Sequence, residues 1–119
     1  VTTDLDAPDR LPFDEEDLLE LVGNLLDNAA KWAGRRVSLR LVWKDGLHIR
    51  VEDDGPGVEP EAAEMLSTRG SRFDETTPGY GLGLAIVREI VELHGGRLCF
   101  DRSERLGGLS ASVDLPVPQ

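Results

Sequence analysis

The sequence predicts an α+β fold in which helices cover one face of a mixed, mainly antiparallel sheet. Two long segments carry apolar residues at helical spacing, near residues 14–34 and 82–93. Two further regions each contain a pair of alternating segments joined at a glycine-bearing turn, which is typical of β-hairpins. The chain has 119 residues, the size of one domain, so we expect residues 1–119 to form a single unit.

Composition and charge restrict the classes of ligand. The chain carries 13 basic and 23 acidic residues, a formal net charge of −10, which disfavours nucleic acid and anionic membrane surfaces as partners. Cys99 is the single cysteine, which excludes an internal disulfide, and with His48 and His94 it makes no zinc site. No apolar run approaches the roughly 18 residues of a membrane span, and no signal peptide is expected. An anionic ligand therefore needs a local site that overcomes the global field.

The first helix is expected to begin after Asp14. This residue is a favourable N-cap, and the three acidic residues that follow it lie in the first turn, where they interact favourably with the helix dipole. Apolar residues then recur with helical period: Leu18, Leu21, Val22, Leu25, Ala29 and Trp32. Gly34 can end this helix. Residues 1–5 predict a short strand that precedes the helix.

The segments after this helix predict the two hairpins and a second long helix. Residues 37–43 and 47–52 alternate and are joined by Asp45-Gly46, a typical tight-turn pair. The remaining segments are expected to be a short helix at 60–66, a polar stretch at 67–81, a long helix at 82–93 and a hairpin of 97–102 with 109–115 that turns at Gly107-Gly108. The tail, 116–119, is expected to fray.

A polar stripe runs along the first helix opposite its leucines, formed by Glu20, Asn24, Asn28 and Lys31. At 100° per residue these side chains lie within about 80° of one another. A solvated face is the ordinary explanation of such a stripe and is favoured when the stripe is taken alone. Asparagine, however, costs about half a kcal/mol relative to alanine inside a helix. Two amides one turn apart also offer carbonyl oxygens to a hard cation.

Two glycine-bearing segments are further candidates for ligand binding. DDGPG at 53–57 follows a strand, and Asp53 could accept a hydrogen bond from a purine amino group, although a simple turn is the better explanation when this segment is taken alone. GYGLGL at 79–84 leads into a helix whose free N–H groups suit phosphate, but it matches neither a dinucleotide fingerprint nor a P-loop. Arg69 and Arg72 suit phosphate oxygens, although isolated loop arginines are usually solvated.

The order and spacing of these segments resemble the nucleotide-binding boxes of sensor histidine kinases, which belong to the GHKL ATPase superfamily. The matching segments are NLLDNAAKW at 24–32, DDGPG at 53–57 and GYGLGL at 79–84. The resemblance covers about residues 1–115, and its motif wording is closest to the PhoQ type. It implies a two-layer α/β sandwich of the Bergerat type with a flexible ATP lid over about residues 67–81.

The resemblance also implies roles for residues on the first helix and after the strand. Asn28 would be the principal Mg²⁺ ligand, with Asn24 assisting directly or through water. Lys31 would contact the phosphates of ATP, and Trp32 would border the nucleotide. Asp53 would bind the adenine amino group. Two glycines would shape the pocket around it, Gly55 and Gly57.

The lid would complete the implied site. Gly79, Gly81 and Gly83 would act as its hinge and, with Leu84, bring backbone to the phosphates. Arg72, with Arg69, would contact the γ-phosphate, so the implied catalytic set is Asn24, Asn28, Lys31 and Arg72. The lid departs from the family pattern at three positions. Ser67 replaces the usual phenylalanine, and Thr77 and Tyr80 stand where the PhoQ type has arginine and glutamine.

The resemblance further implies phosphoryl transfer rather than hydrolysis. Hydrolysing members of the superfamily carry a glutamate as general base four residues before the metal-binding asparagine, and here that position is Asn24. An amide cannot take a proton at neutral pH. The γ-phosphoryl group would therefore be kept for transfer, which needs mainly positioning and charge neutralisation.

The implied acceptor is a histidine on a dimerisation domain outside these residues, since neither His48 nor His94 has the sequence context of a phosphoacceptor. A response regulator would take the phosphoryl group next, and the domain would be the cytoplasmic part of a membrane sensor, without direct membrane contact. Two alternatives remain open at this point: a serine kinase of the anti-sigma-factor type, and a non-enzymatic nucleotide-sensing module.

Overall fold

The structure, a computed structural model, describes residues 2–8, 10–32, 34–57 and 82–118. Within these residues it contains a five-stranded sheet and two helices: β1 (Thr2–Asp6), α1 (Glu15–Trp32), β2 (Val37–Trp43), β3 (Leu47–Asp53), α2 (Leu82–Leu93), β4 (Arg97–Arg102) and β5 (Leu109–Leu115). The short helix expected at 60–66 and the lid expected at 67–81 lie outside the described residues. Neither described helix is long and apolar enough to cross a membrane.

The sheet is mixed and mainly antiparallel, as predicted, with strand order β1-β2-β3-β5-β4. Strand β1 runs parallel to β2 along the edge, and the other three neighbouring pairs are antiparallel. The first hairpin turns at Asp45 and Gly46, both of which have positive φ. A Cβ at Gly46 would also lie 2.6 Å from the carbonyl oxygen of Leu115, so glycine is required there by conformation and by space.

Helix α1 begins as its cap predicts. The carboxylate of Asp14 accepts a hydrogen bond from the backbone N–H of Glu16 at 2.8 Å, and its carbonyl accepts from Leu18 at 3.1 Å. The helix ends at Trp32, two residues before the glycine expected to stop it. Its apolar face packs with α2 on one side of the sheet.

The core lies between the two helices and this face of the sheet. Alternate residues of β3 and β5 point into it, and Leu21, Leu25, Leu84 and Val87 meet them from the helices. Each of these four side chains is at most 2% exposed. The alternation predicted for β3 is therefore confirmed, and the even-numbered residues of β3 face away from the helices.

The two helices run in opposite directions. The imidazole Nε2 of His94, directly after α2, lies 2.9 Å from Oδ2 of Asp17 in the first turn of α1. Phe13, just before α1, makes edge-on ring contacts with His94 and with Trp43, with ring centroids 5.7 and 6.2 Å apart. This packing brings the middle of α1 next to the beginning of α2.

Candidate functional site

Asp53, the last residue of β3, is a buried carboxylate. It is 1% exposed and shares its face of the strand with Ile49 and Val51, so it points towards the helical layer. Its Oδ1 accepts hydrogen bonds from the backbone N–H groups of Gly55 at 2.9 Å and Leu109 at 3.2 Å. These bonds fix the carboxylate and do not engage Oδ2, which leaves an acceptor for a ligand on this side of the sheet.

The turn between β4 and β5 packs against Asp53. Gly108 donates its N–H to the carbonyl of Asp53 at 3.0 Å. A Cβ at Gly108 would overlap the Asp53 carboxylate and lie 2.7 Å from the nitrogen of Gly55. Gly57 has φ +71°, and a Cβ there would lie 3.3 Å from the carbonyl of Gly108. The two segments therefore approach at backbone distance, which requires glycine on both sides.

Asp54, the residue directly after β3, connects the end of that strand to the segment that follows α1. Its Oδ1 accepts hydrogen bonds from three consecutive backbone N–H groups, those of Gly34, Arg35 and Arg36, at 2.8, 2.9 and 3.0 Å. The N–H groups of Arg36 and Arg35 contribute most to holding the pKa of Asp54 below its ordinary value. The end of β3 and the end of α1 are thereby held in a defined relation.

Asn24 lies half-buried on α1 beside the start of α2. Its Nδ2 donates to the carbonyl of Glu20 one turn earlier at 2.7 Å, which turns Oδ1 towards Gly83. A Cβ at Gly83 would lie 3.4 Å from that oxygen. The structure thus brings together two residues predicted from separate sequence segments.

The remaining residues of α1 and α2 that are predicted to bind the ligand differ in how exposed they are. Asn28, one turn after Asn24, is partly exposed, and Lys31 is exposed. Trp32 is the last residue of α1, and its side chain lies outside the described part of the structure. The side chain of Leu84 is 1% exposed in the core. The role predicted for Leu84 therefore falls to its backbone, and it stays a prediction.

Several predicted site residues lie outside the described ranges, and so does the lid that carries them. They are Arg69, Arg72, Gly79 and Gly81, with the departures at Ser67, Thr77 and Tyr80.

The described part of the site offers amide oxygens and a helix terminus rather than a cluster of charged ligands. In the described ranges no group of three or more histidine, cysteine, aspartate or glutamate side chains could hold a metal ion. The amide oxygens of Asn24 and Asn28 are hard donors that suit Mg²⁺ when phosphates and water supply the other ligands. The first turn of α2 has no acidic residue, so the positive end of its dipole is left for an anion.

Sequence reasoning missed two residues of this site. Asp54 was read only as part of the motif, because nothing in the sequence distinguishes its role from that of Asp53. Gly108 was predicted to form a hairpin turn, and the paired glycines at 107–108 were the sole signal that backbone approaches closely there.

The chain is similar to several known proteins. The sequence model of the histidine kinase-, DNA gyrase B- and HSP90-like ATPases matches residues 13–119. The chain is 51% identical over 109 residues to sensor protein kinase CarS of Pseudomonas aeruginosa, covering 91% of this chain and 24% of that protein. It is 39% identical over 116 residues to sensor protein PhoQ of Escherichia coli, covering 95% and 24%.

Among solved structures, the mycobacterial sensor histidine kinase MprB superposes with a TM-score of 0.74 at 36% identity, covering 97% of this chain and 80% of that one. The chain spans about a quarter of the length of the curated relatives that it matches.

Proposed function

The chain belongs to the family of histidine kinase-, DNA gyrase B- and HSP90-like ATPases, and on that basis we propose that it binds ATP with Mg²⁺ and donates the γ-phosphoryl group to a histidine on a separate dimerisation domain. The observation that carries this proposal is the convergence of the predicted segments. Asn24 on α1 faces Gly83 at the start of α2. Asp54 attaches the end of β3 to the segment that follows α1. Each segment alone has an ordinary structural explanation, whereas these pairings between segments predicted to bind one nucleotide favour a ligand-binding one.

Adenine recognition rests on Asp53. A carboxylate only accepts hydrogen bonds, and adenine presents an amino group where guanine presents a carbonyl oxygen. With Oδ1 already held by two backbone N–H groups, Oδ2 accepts from the adenine amino group. Guanine would place an acceptor against this acceptor and is disfavoured.

The phosphates lie between α1 and the start of α2. The N–H groups at the start of α2 and the ammonium of Lys31 would supply positive charge there. Asn28, with Asn24, would hold Mg²⁺, which would neutralise phosphate charge when bound. The predicted lid residues Arg72 and Arg69 would add guanidinium groups at the γ-phosphate, with Gly79 and Gly81 as hinge positions.

Asn24 makes the site a poor hydrolase. Its amide cannot accept a proton at neutral pH, and its Nδ2 is already bonded to the Glu20 carbonyl. Water at the γ-phosphate is therefore not activated by general-base catalysis. The bound nucleotide is kept for transfer to an acceptor.

Neither histidine of the chain faces this site. His94 follows the last turn of α2, and a 12-residue helix separates it from the phosphate end by about 18 Å. His48 lies on the sheet face opposite the helices, between Asp114 and the carbonyl of Lys44. The acceptor histidine is accordingly proposed to belong to a dimerisation domain of the same protein, a membrane sensor with this domain on its cytoplasmic side. A response regulator would receive the phosphoryl group next.

Transfer from γ-labelled ATP to a supplied dimerisation domain tests the proposal. We expect label in an acid-labile, alkali-stable form, as phosphohistidine requires. Asn28→Ala should lose the label, whereas Asp27→Ala, at an exposed neighbouring position of α1, should keep it. Alkali-labile label on a serine would instead support a serine kinase. Nucleotide binding without transfer to any supplied acceptor would support a nucleotide-sensing module.

A further inference from the structure

The β4–β5 turn, defined as residues 103–108, makes hydrogen bonds to the end of β3 on both faces of the sheet. Glu52 and Asp53 are adjacent, so their side chains point to opposite faces. Asp53 points towards the helices, where the nucleotide is proposed to bind. Glu52 points to the other face, away from the nucleotide, and yet it is only 7% exposed.

Ser103 binds Glu52 on that far face. Its hydroxyl donates to Oε2 of Glu52 at 2.6 Å and accepts from the N–H of Leu106 at 3.0 Å. Ser103 itself is 1% exposed. A buried hydrogen bond to a carboxylate is among the stronger kinds, and removing the donor leaves a buried charge undercompensated.

The backbone of Ser103 closes the same turn. Its N–H donates to the carbonyl of Gly108, and its carbonyl accepts from the N–H of Gly107, both at 2.7 Å. From the closed turn, the N–H groups of Gly108 and Leu109 reach the carbonyl and the Oδ1 of Asp53. A continuous set of hydrogen bonds therefore runs from Glu52 through the turn to the Asp53 carboxylate.

We propose that Ser103 and Glu52 are positioning residues for adenine recognition, which act from the sheet face opposite the nucleotide by holding the turn that orients the Asp53 carboxylate. This inference rests on the proposed function. Without the Ser103 hydroxyl, the turn loses its attachment to Glu52 and the N–H of Leu106 loses its acceptor. The N–H groups that fix Asp53 are then less well placed, and the carboxylate no longer presents Oδ2 in one orientation.

The readout is the ratio of two affinities measured on the same sample: that for Mg²⁺·ATP and that for Mg²⁺·purine riboside triphosphate, which lacks the amino group. This ratio isolates the contact with Asp53 and does not depend on the folded fraction. We expect the wild-type chain to prefer ATP by about tenfold or more, as a hydrogen bond to a charged group implies. Ser103→Ala should reduce that preference by about fivefold, the effect of roughly one net hydrogen bond.

Three further variants control the experiment. Ser103→Thr keeps the hydroxyl and should restore the preference. Ser38→Ala removes another buried serine, opposite Glu52 on β2 and outside the turn, and should leave the preference unchanged. Glu52→Gln keeps an acceptor but removes its charge, so it should give a smaller decrease, and it replaces Ser103→Ala in the comparison if thermal unfolding shows that variant to be unfolded.

Two results overturn the inference in distinguishable ways. If the wild-type chain prefers ATP but Ser103→Ala and Glu52→Gln both keep the wild-type ratio, the positioning role is wrong while the proposed function stands. If the wild-type chain binds neither nucleotide, the proposed function fails and the positioning role fails with it.

Discussion

The Asp53 carboxylate is at once buried, at 1% exposure, and oriented by the N–H groups of Gly55 and Leu109. A buried carboxylate without partners would be strongly unfavourable, so these two donors are what make its position tolerable. They also determine which oxygen is left for a ligand. Under the proposed function, selectivity for adenine would therefore depend on the geometry of this single side chain.

Replacing this carboxylate by an amide should weaken base selectivity. In Asp53→Asn the side chain can donate as well as accept, so guanine is no longer penalised. We expect the preference for ATP over GTP to fall by about tenfold or more, the effect of one hydrogen bond to a charged group. Competition binding measures it, with Asp101→Asn, an exposed aspartate on β4, as the matched control. Equal competition by ATP and GTP against the wild-type chain would contradict the role of Asp53.

Under the proposed function, Asn24 is the residue expected to decide between transfer and hydrolysis. Asn24→Glu supplies a carboxylate near the γ-phosphate, and general-base catalysis is worth about 10²–10⁴-fold where geometry permits. We expect a measurable rise in steady-state phosphate release, with transfer to a supplied acceptor domain falling or unchanged. Asn24→Ala provides no base and should stay slow. Rapid phosphate release by the wild-type chain that Asn24→Ala does not alter would show that the mechanism depends on another residue.

Among the elements, the connection after α1 depends on Asp54. Three successive N–H groups converge on one carboxylate, so this side chain attaches the segment that follows α1 to the end of β3. Because those N–H groups favour the charged form, the pKa of Asp54 is lower in the folded chain than in the unfolded one. The stabilisation is therefore fully present above the ordinary pKa and is lost as the pH falls through the lower, folded value.

This linkage predicts a pH-dependent effect of Asp54→Ala. The variant should be less stable than the wild-type chain at pH 7. The difference between them should shrink as the pH falls from about 4, where the unfolded chain takes up the proton, through the lower pKa of the folded chain. Urea unfolding at a series of pH values measures both chains. A difference that stays constant down to pH 2 would mean that the carboxylate charge contributes nothing to this connection.

Local sequence patterns are sufficient to predict the helices and strands. They do not predict the contacts between residues far apart in the sequence. Helix α1 was predicted from its cap at Asp14 and its apolar period, and β3 from alternation, because both signals act within a few residues. The hydrogen bonds from Arg36 to Asp54 and from Ser103 to Glu52 join residues 18 and 51 positions apart. No periodic pattern in the sequence predicts them. The motif assigns the backbone of Leu84 to the site, while helical packing places its side chain in the core.

At the scale of the whole molecule, the two layers have separate tasks. The core between helices and sheet stabilises the fold, and the ends of β3, α1 and α2 present polar groups where these elements meet. The net charge of −10 opposes an anionic nucleotide, so the proposed binding would depend on local N–H groups, Lys31 and a neutralising cation. Removing that cation should therefore affect binding more than it would in a neutral protein.

Calorimetry of the 119-residue chain with a non-hydrolysable ATP analogue and Mg²⁺ tests the central claim most directly. We expect saturable one-to-one binding with a dissociation constant in about the micromolar to millimolar range, as for enzyme substrates generally. Binding should be lost on chelation of Mg²⁺ and in Asn28→Ala, and kept in Asp27→Ala. The absence of saturable heat from the folded wild-type chain at millimolar nucleotide with Mg²⁺ would contradict the account.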